Sequence, residues 1–198
     1  MKVITIDSDD LVVESNRLFD KVIGSGFYPT HMVAIARRGV DVADQITPDR
    51  GTGIKRVIVR AVRPGSPRRS KRLVTSRVLR RMPYWITDPL RWVGTLWLIA
   101  YRHPADPNSL PPLDPESSEA LMKIDAEKST CVLVIDDAVD SGVTLARVLR
   151  SLRHVVEGGG EVRSAVINVT GRNPVVRPDY CIFEGACCRF PWSDDFRS

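Results

Sequence analysis

The chain has 198 residues, 43% of them hydrophobic and 27% charged, so it can form one hydrophobic core and its composition excludes a disordered or fibrous protein. The longest apolar stretch, residues 92–101, is too short to span a bilayer, and residues 1–10 contain acids but no long apolar run. We therefore expect no transmembrane segment and no signal peptide. The formal net charge is +5, and the positive charge is unevenly placed.

The cysteines show no metal-binding pattern. None is spaced as a zinc ligand pair, and one lies in or beside an apolar strand. We interpret them as reduced thiols of a cytoplasmic protein; they are Cys131, Cys181, Cys187 and Cys188.

The first third of the chain predicts a helix, a buried strand and a second helix. Residues 7–23 have one apolar side, with Ser8 or Asp9 as the cap, and residues 32–36 form a short apolar strand. Arg37, Arg38 and Gly39 follow directly, so hydrogen-bond donors stand at the end of this strand. Residues 40–46 suit the next helix.

A basic region follows. Residues 55–62 alternate as in a strand, and residues 55–81 contain eleven Lys or Arg and no acid. The polar, breaker-rich part, residues 64–72, predicts a loop. Its basic groups suit a solvated face or lid, a site for a substrate phosphate, or contact with nucleic acid or an anionic membrane surface.

Large apolar side chains dominate residues 74–101, which hold three of the four tryptophans. A helix or helix pair covering one end of the sheet is the simplest interpretation; a dimer contact, an apolar acceptor pocket and a membrane-surface contact are alternatives. A proline-rich connection then leads to a helix that we expect to start at Asp114, with Pro115 at its first position.

The most informative stretch is residues 132–145. Four apolar residues predict a buried strand, and Asp136 and Asp137 follow it. A turn of small residues from Asp140 to Thr144 then opens a helix, where backbone amides and the helix dipole suit a phosphate. Together these groups suggest a phosphorylated sugar as ligand.

Another strand is predicted over residues 161–169. Strands and helices therefore alternate, which favours an α/β fold with a Rossmann-like central parallel sheet flanked by helices on both faces.

Residues 132–145 resemble the phosphoribosyl pyrophosphate (PRPP) signature of the type I phosphoribosyltransferases. The resemblance implies the fold of that family, with a small C-terminal hood and a helical insertion. It implies that Asp136 and Asp137 bind the ribose hydroxyls and, through PRPP and water, Mg²⁺. It also implies that Asp140 is catalytic and moves a proton at the base, and that the 5-phosphate is bound by Asp140, Ser141, Gly142, Val143 and Thr144.

In the same family, a strand ending in Arg-Gly-Gly binds the pyrophosphate through a strained peptide and exposed amides. The matching residues here are Arg37, Arg38 and Gly39. The sequence departs from the pattern at Arg38, where the family has Gly, and at Thr30, where it has Asp.

The C-terminal segment Phe190-Pro191-Trp192 resembles the hood of the xanthine–guanine branch, which holds the base. Cys187, Cys188 and Arg189 stand where that branch has an aromatic residue and aliphatic residues. We therefore expect one domain over residues 1–198, with a mobile loop and helical insertion at 63–128 and a hood at 171–198.

The sequence thus predicts a magnesium-dependent transferase, expected as a homodimer, that moves ribose 5-phosphate between PRPP and a nucleobase, such as a purine, or a related nitrogen acceptor, and releases pyrophosphate. The alternative is a non-catalytic PRPP-binding regulator that contacts nucleic acid through residues 55–81. The presence of Asp136, Asp137 and Asp140 favours the enzyme. The departures from the family pattern in the pyrophosphate turn and the hood leave the regulator as an alternative.

Overall fold

The computed structural model describes residues 2–60, 79, 81–101, 112–124, 130–156 and 159–197, and for residues 95–101 the backbone alone. The residues that are described form seven strands and six helices. In chain order these are β1 (Val3–Thr5), α1 (Ser8–Gly24), β2 (His31–Ala36), α2 (Arg38–Asp44), α3 (Pro48–Gly51), β3 (Lys55–Arg60), α4 (Tyr84–Tyr101), α5 (Pro115–Met122), β4 (Cys131–Val139), α6 (Val143–Val155), β5 (Glu161–Val169), β6 (Tyr180–Glu184) and β7 (Cys187–Arg189).

The central sheet is parallel throughout, with the strand order β3-β2-β4-β5-β6. From β2 the chain proceeds outward to β3, and β4 then returns to the other side of β2. The order therefore reverses between β2 and β4, which is where open parallel sheets bind their ligands.

A hydrophobic core lies on each face of this sheet. Successive side chains of β4 point to opposite faces and therefore pack alternately in the two cores. Leu133 and Ile135 pack in the cluster that contains Phe19 of α1. Val132 and Val134 belong to the opposite cluster, which contains Leu152 of α6. The predicted Rossmann-like sheet with helices on both faces is confirmed.

Two local expectations need correction. The N-cap of α1 is Asp7 rather than Ser8 or Asp9, and it forms a capping box with Asp10 that satisfies amides of the first turn. Strand β4 does not end at Ile135 but runs on to Val139, because residues 136, 138 and 139 still pair with β5. Asp136 and Asp137 therefore lie within the strand, near its carboxyl end. By contrast, Asp114 caps α5 as predicted.

A second, two-stranded parallel sheet joins β1 to β7 and lies in the C-terminal region expected to form the hood. Arg189 of β7 is almost fully buried and binds Asp195 at 2.9 Å. It also binds Asp88 of α4, and its guanidinium lies 4.1 Å from the ring centre of Tyr84. Helix α4 is thereby attached to the C-terminal segment.

Of the predicted mobile loop and insertion at 63–128, residues 63–78, 80, 102–111 and 125–128 lie outside the residues described. The predicted helix in the aromatic stretch is present as α4. Within the described parts of the chain, no helix is both long and apolar enough to cross a membrane.

Candidate active site

The two acids of β4 are held differently. Asp136 is buried, and its Oδ1 accepts a hydrogen bond from the backbone N–H of Asp137 at 2.9 Å. The Oδ2 of Asp137 accepts one from the indole Nε1 of Trp192 at 3.2 Å. Burial raises the pKa of the Asp137 carboxyl above its ordinary value, and the hydrogen bond from Trp192 opposes that shift.

Helix α6 begins at the turn that follows these acids. Its N-cap is Gly142 with φ of 75°, a left-handed conformation that favours glycine, and no side-chain hydrogen bond caps the helix. The amides of Val143 and Thr144 stand at positions that have no acceptor within a helix. The start of α6 thus combines backbone donors that have no partner within the helix with the positive end of the helix dipole.

A neighbouring loop holds this turn in place. The N–H of Val175 donates to the carbonyl oxygen of Ser141 at 2.8 Å. A β-carbon on Gly171 would lie 2.0 Å from the carbonyl oxygen of Asp140, so only glycine allows this approach. Neither contact was predicted from the sequence. The position of Gly171 shortly after β5 is a signal that could have indicated a close backbone approach.

The end of β2 forms the facing turn. Arg37 and Arg38 are exposed, and the Ala36–Arg37 peptide is cis. Arg38 starts α2, and every described residue with a positive φ is a glycine, so the substitution at Arg38 imposes no left-handed conformation. Gly39 is buried, and a β-carbon there would lie 2.3 Å from the carbonyl oxygen of Ile135. The turn after β2 therefore contacts the backbone of β4 at Ile135 and Asp136.

A stack of side chains connects the C-terminal segment to the turn after β2 and to β4. The guanidinium of Arg38 lies 4.9 Å from the ring centre of Trp192 and also pairs with Asp41 at 2.9 Å. The ring of Phe190 stacks on that of Trp192, with the ring centres 5.0 Å apart and an interplanar angle of 5°. Trp192 thus contacts Arg38 in the turn after β2 and Asp137 in β4, a role that its position in the sequence did not reveal.

The donor set suits magnesium carried with a phosphorylated ligand. Asp136 and Asp137 offer carboxylate oxygens, which Mg²⁺ prefers, and Mg²⁺ commonly takes its other ligands from water and substrate phosphates. In the described part of the chain there is no group of three or more His, Cys, Asp or Glu that could hold a metal alone. An ion here would need oxygens from the ligand as well.

The predicted site residues converge on the edge of the sheet where β2 and β4 end. Asp136, Asp137 and the turn from Asp140 to Thr144 follow β4, and Arg37, Arg38 and Gly39 follow β2. The basic residues of the predicted lid, Arg68, Arg69, Lys71 and Arg72, fall outside the described residues.

Comparison with known proteins matches residues 7–197 to the phosphoribosyl transferase domain family. A purine phosphoribosyltransferase from Pyrococcus horikoshii OT3 aligns over 100% of this chain and 98% of its own, with a TM-score of 0.57 and 16% identity. The xanthine-guanine-hypoxanthine phosphoribosyltransferase of Helicobacter pylori aligns over 96% and 91%, with a TM-score of 0.55 and 14% identity. No curated protein sequence matches the chain.

Proposed function

Because the chain belongs to the phosphoribosyl transferase domain family, as the sequence predicted, we propose that it is an active transferase. It binds PRPP and transfers ribose 5-phosphate to a nucleobase or related nitrogen acceptor, with release of pyrophosphate. A purine is the first acceptor to test, because two structures that share its fold are purine phosphoribosyltransferases.

One observation carries this proposal: the contact between the turn after β2 and the backbone of β4 beside Asp136, at the reversal of strand order. Gly39 packs on the backbone of Ile135, so the donors after β2 lie beside the acids of β4. A ligand with a ribose between two phosphate groups fits this arrangement. The 5-phosphate would bind at the start of α6, the hydroxyls at Asp136 and Asp137, and the pyrophosphate at Arg37, Arg38 and Gly39.

The reaction replaces one bond at the anomeric carbon with another. The bond from that carbon to the pyrophosphate oxygen breaks, the pyrophosphate leaves with the bonding electrons, and a nitrogen of the acceptor forms the new bond. Asp140 would accept the proton that this nitrogen loses. The protein would hold the two reactants close together in the reactive orientation, which lowers the entropic part of the activation barrier. It would also exclude water from the reacting atoms. Magnesium, when held by Asp136 and Asp137 together with PRPP, would neutralise charge on the leaving pyrophosphate.

Titration calorimetry tests the binding step, and pyrophosphate release tests the reaction. The protein is titrated with PRPP and Mg²⁺, then incubated with both and each common base in turn. We expect magnesium-dependent PRPP binding and release that depends on one acceptor. The double variant Asp136→Asn/Asp137→Asn should lose PRPP binding. The proposal fails if no PRPP affinity is found, or if this variant binds PRPP as well as the parent does.

The regulator remains the second candidate because of the basic stretch at 55–81. Strand β3, which is the described start of this stretch, gives the regulator little support because two of its arginines already pair with acids. Arg56 pairs with Asp44 at 3.0 Å, and Arg60 pairs with Glu116 at 3.7 Å. PRPP binding without turnover on any base, together with salt-sensitive binding of nucleic acid, would favour the regulator over the enzyme.

A further inference from the structure

A buried ion pair closes a loop near the end of the chain, residues 189–195. Nε of Arg189 donates to Oδ2 of Asp195 at 2.9 Å, although the two residues are six positions apart, and both side chains are buried. Within this loop the backbone N–H of Phe190 donates to Oγ of Ser193 at 3.0 Å, and the N–H of Ser193 donates to the carbonyl oxygen of Phe190 at 2.8 Å. Trp192 therefore lies on a short loop that is hydrogen-bonded internally and ion-paired at its base.

Helix α4 binds both members of this ion pair. Its Asp88 pairs with the guanidinium of Arg189, and its Arg91 pairs with Asp195 at 2.9 Å. Arg91 also donates to the carbonyl oxygen of Cys188. Two acids and two arginines thus alternate at the base of the loop. Removing one of them would deprive a buried charge of a partner, which is costly in a protein interior.

The same loop reaches the candidate active site through Trp192. The indole Nε1 donates to Oδ2 of Asp137 at 3.2 Å, which is at the long end of the range for an N–H···O bond. Phe190, which follows Arg189 directly, stacks on the indole. A displacement of Arg189 would therefore be passed to the indole by the backbone and by this stacking contact.

We propose that Arg189 and Asp195 are positioning residues for Asp137. Their ion pair fixes the loop so that the N–H of Trp192 meets the carboxylate, and the two charged residues of α4 reinforce that position. Without the ion pair, the loop would have to lose more conformational entropy to form the same hydrogen bond. The alternative is that the ion pair stabilises the fold without affecting the indole.

Hydrogen exchange of the Trp192 indole N–H tests the proposal without any ligand. Its resonance in the proton–nitrogen NMR spectrum of the full chain is identified by its absence from Trp192→Phe. Trp85, which is 74% exposed, is identified in the same way and gives the resonance of an indole in water. In Asp195→Asn the Trp192 N–H should exchange at least about tenfold faster than in the parent, because its hydrogen bond opens more often. Its resonance should move toward that of Trp85.

A second variant serves if Asp195→Asn does not fold. The side chain of Asp88 is 39% exposed, and Arg189 keeps its bond to Asp195 when Asp88 is changed. Asp88→Asn should therefore fold and should accelerate exchange of the indole N–H by a smaller factor, about threefold.

A matched control separates positioning from general stability. Leu152 is buried in the cluster on the sheet face opposite to Phe190, so Leu152→Ala should destabilise the fold without contacting the loop. It should leave exchange of the Trp192 indole N–H unchanged. The positioning role is overturned if this exchange keeps its parental rate in both charge variants. It is also overturned if Leu152→Ala accelerates the exchange as much as Asp195→Asn does.

A second readout rests on the proposed function. Asp195→Asn should raise the pH at which PRPP affinity is lost, as Trp192→Phe should, and should add nothing further when combined with it. Additive shifts would overturn the proposed route through the indole. The substitutions leave in place the titratable and charged groups around Asp137, which are Asp136, Asp140, Cys188 and, over the indole, Arg38. A parent that binds no PRPP would refute the proposed function, whereas the indole exchange decides on positioning in either case.

Discussion

Trp192 donates its indole N–H to Oδ2 of Asp137 across 3.2 Å, although 55 positions separate the two residues in the chain. The bond connects the hood to an acid of the candidate PRPP site. It also stabilises the ionised form of a carboxyl whose burial raises its pKa. Because a carboxylate has several lone pairs, Asp137 can hold this bond and still accept one from a ribose hydroxyl.

Trp192→Phe should therefore make PRPP binding more sensitive to acid. The phenyl ring keeps the stacking but removes the donor, so the pKa of Asp137 rises further and the carboxyl is protonated at higher pH. As pH falls, the parent should lose PRPP affinity at a pH above about 3.9, the ordinary aspartate pKa. The variant should lose PRPP affinity at a still higher pH. Calorimetry across a pH series measures both midpoints. Trp85→Phe, in exposed α4, should leave the midpoint unchanged; an unchanged midpoint in Trp192→Phe would contradict the argument.

Asp195→Asn should destabilise the hood. Burial alone would raise the pKa of Asp195, but the positive charges of Arg91 and Arg189 and their hydrogen bonds hold it below its ordinary value. Removing one partner of a buried ion pair costs about 3–5 kcal/mol, so the free energy of unfolding in urea should fall by about that amount. Asp20→Asn, which removes an exposed pair with Arg50, should cost at most about 1 kcal/mol.

The same carboxyl predicts the direction of a pH effect on stability. Its pKa is lower in the folded than in the unfolded chain, so its contribution is fully present above the unfolded value of about 3.9 and is lost as pH falls through the folded value. Unfolding measured at pH values across this window should show a steeper loss for the parent than for Asp195→Asn. Equal slopes would mean that Asp195 does not contribute.

Gly39→Ala should impair both folding and PRPP binding. The added carbon would lie 2.3 Å from the carbonyl oxygen of Ile135, and backbone must move to admit it. Overpacking of this kind costs about 1–3 kcal/mol, and the displacement moves the turn after β2 away from the acids of β4. Thermal unfolding and PRPP calorimetry measure the two effects. Gly24→Ala is the matched control, since a carbon there meets nothing within 4 Å; similar behaviour of the two variants would refute the steric account.

Asp140→Asn should slow turnover without abolishing PRPP binding. The amide cannot accept the proton of the acceptor nitrogen, and general acid–base groups contribute about 10²–10⁴-fold to rate. The backbone at this position, which contacts Gly171, is unchanged by the substitution. Pyrophosphate release should fall by that factor while calorimetry gives a similar PRPP affinity. A variant with the parental rate would remove Asp140 from the mechanism.

The sequence predicted the parts of the fold that depend on local periodicity. The apolar run of β4, the alternation of β5 and the Asp114 cap of α5 are all signals within a few residues, and all three elements are present. The boundaries of β4 were wrong because the pairing of Asp136 and Ala138 with β5 is a tertiary effect that hydrophobicity does not report. Asp136, Asp137 and Asp140 were identified as candidate site residues from the pattern of residues 132–145, in which an apolar strand, two acids and a turn of small residues follow one another.

Long-range contacts could not be predicted in the same way. No local pattern indicates that Trp192 meets Asp137, that Arg38 lies over the same indole, or that Arg189 is buried among acids. Arginine is rarely found buried, and from the sequence Arg189 was noted only as part of a departure from the aromatic and aliphatic residues of the xanthine–guanine branch. Strand β1, only three residues long, gave too short a pattern to detect.

The pairing of β1 with β7 has a consequence for synthesis of the chain. Residues 3–5 are synthesised 184 positions before their strand partners, residues 187–189, and strands β2 to β6 lie between them in the chain. The small sheet must therefore assemble after translation of the larger one is complete. A product that stops after α6 would contain the turn after β2 and the start of α6, yet it would lack Trp192, which contacts both Arg38 and Asp137.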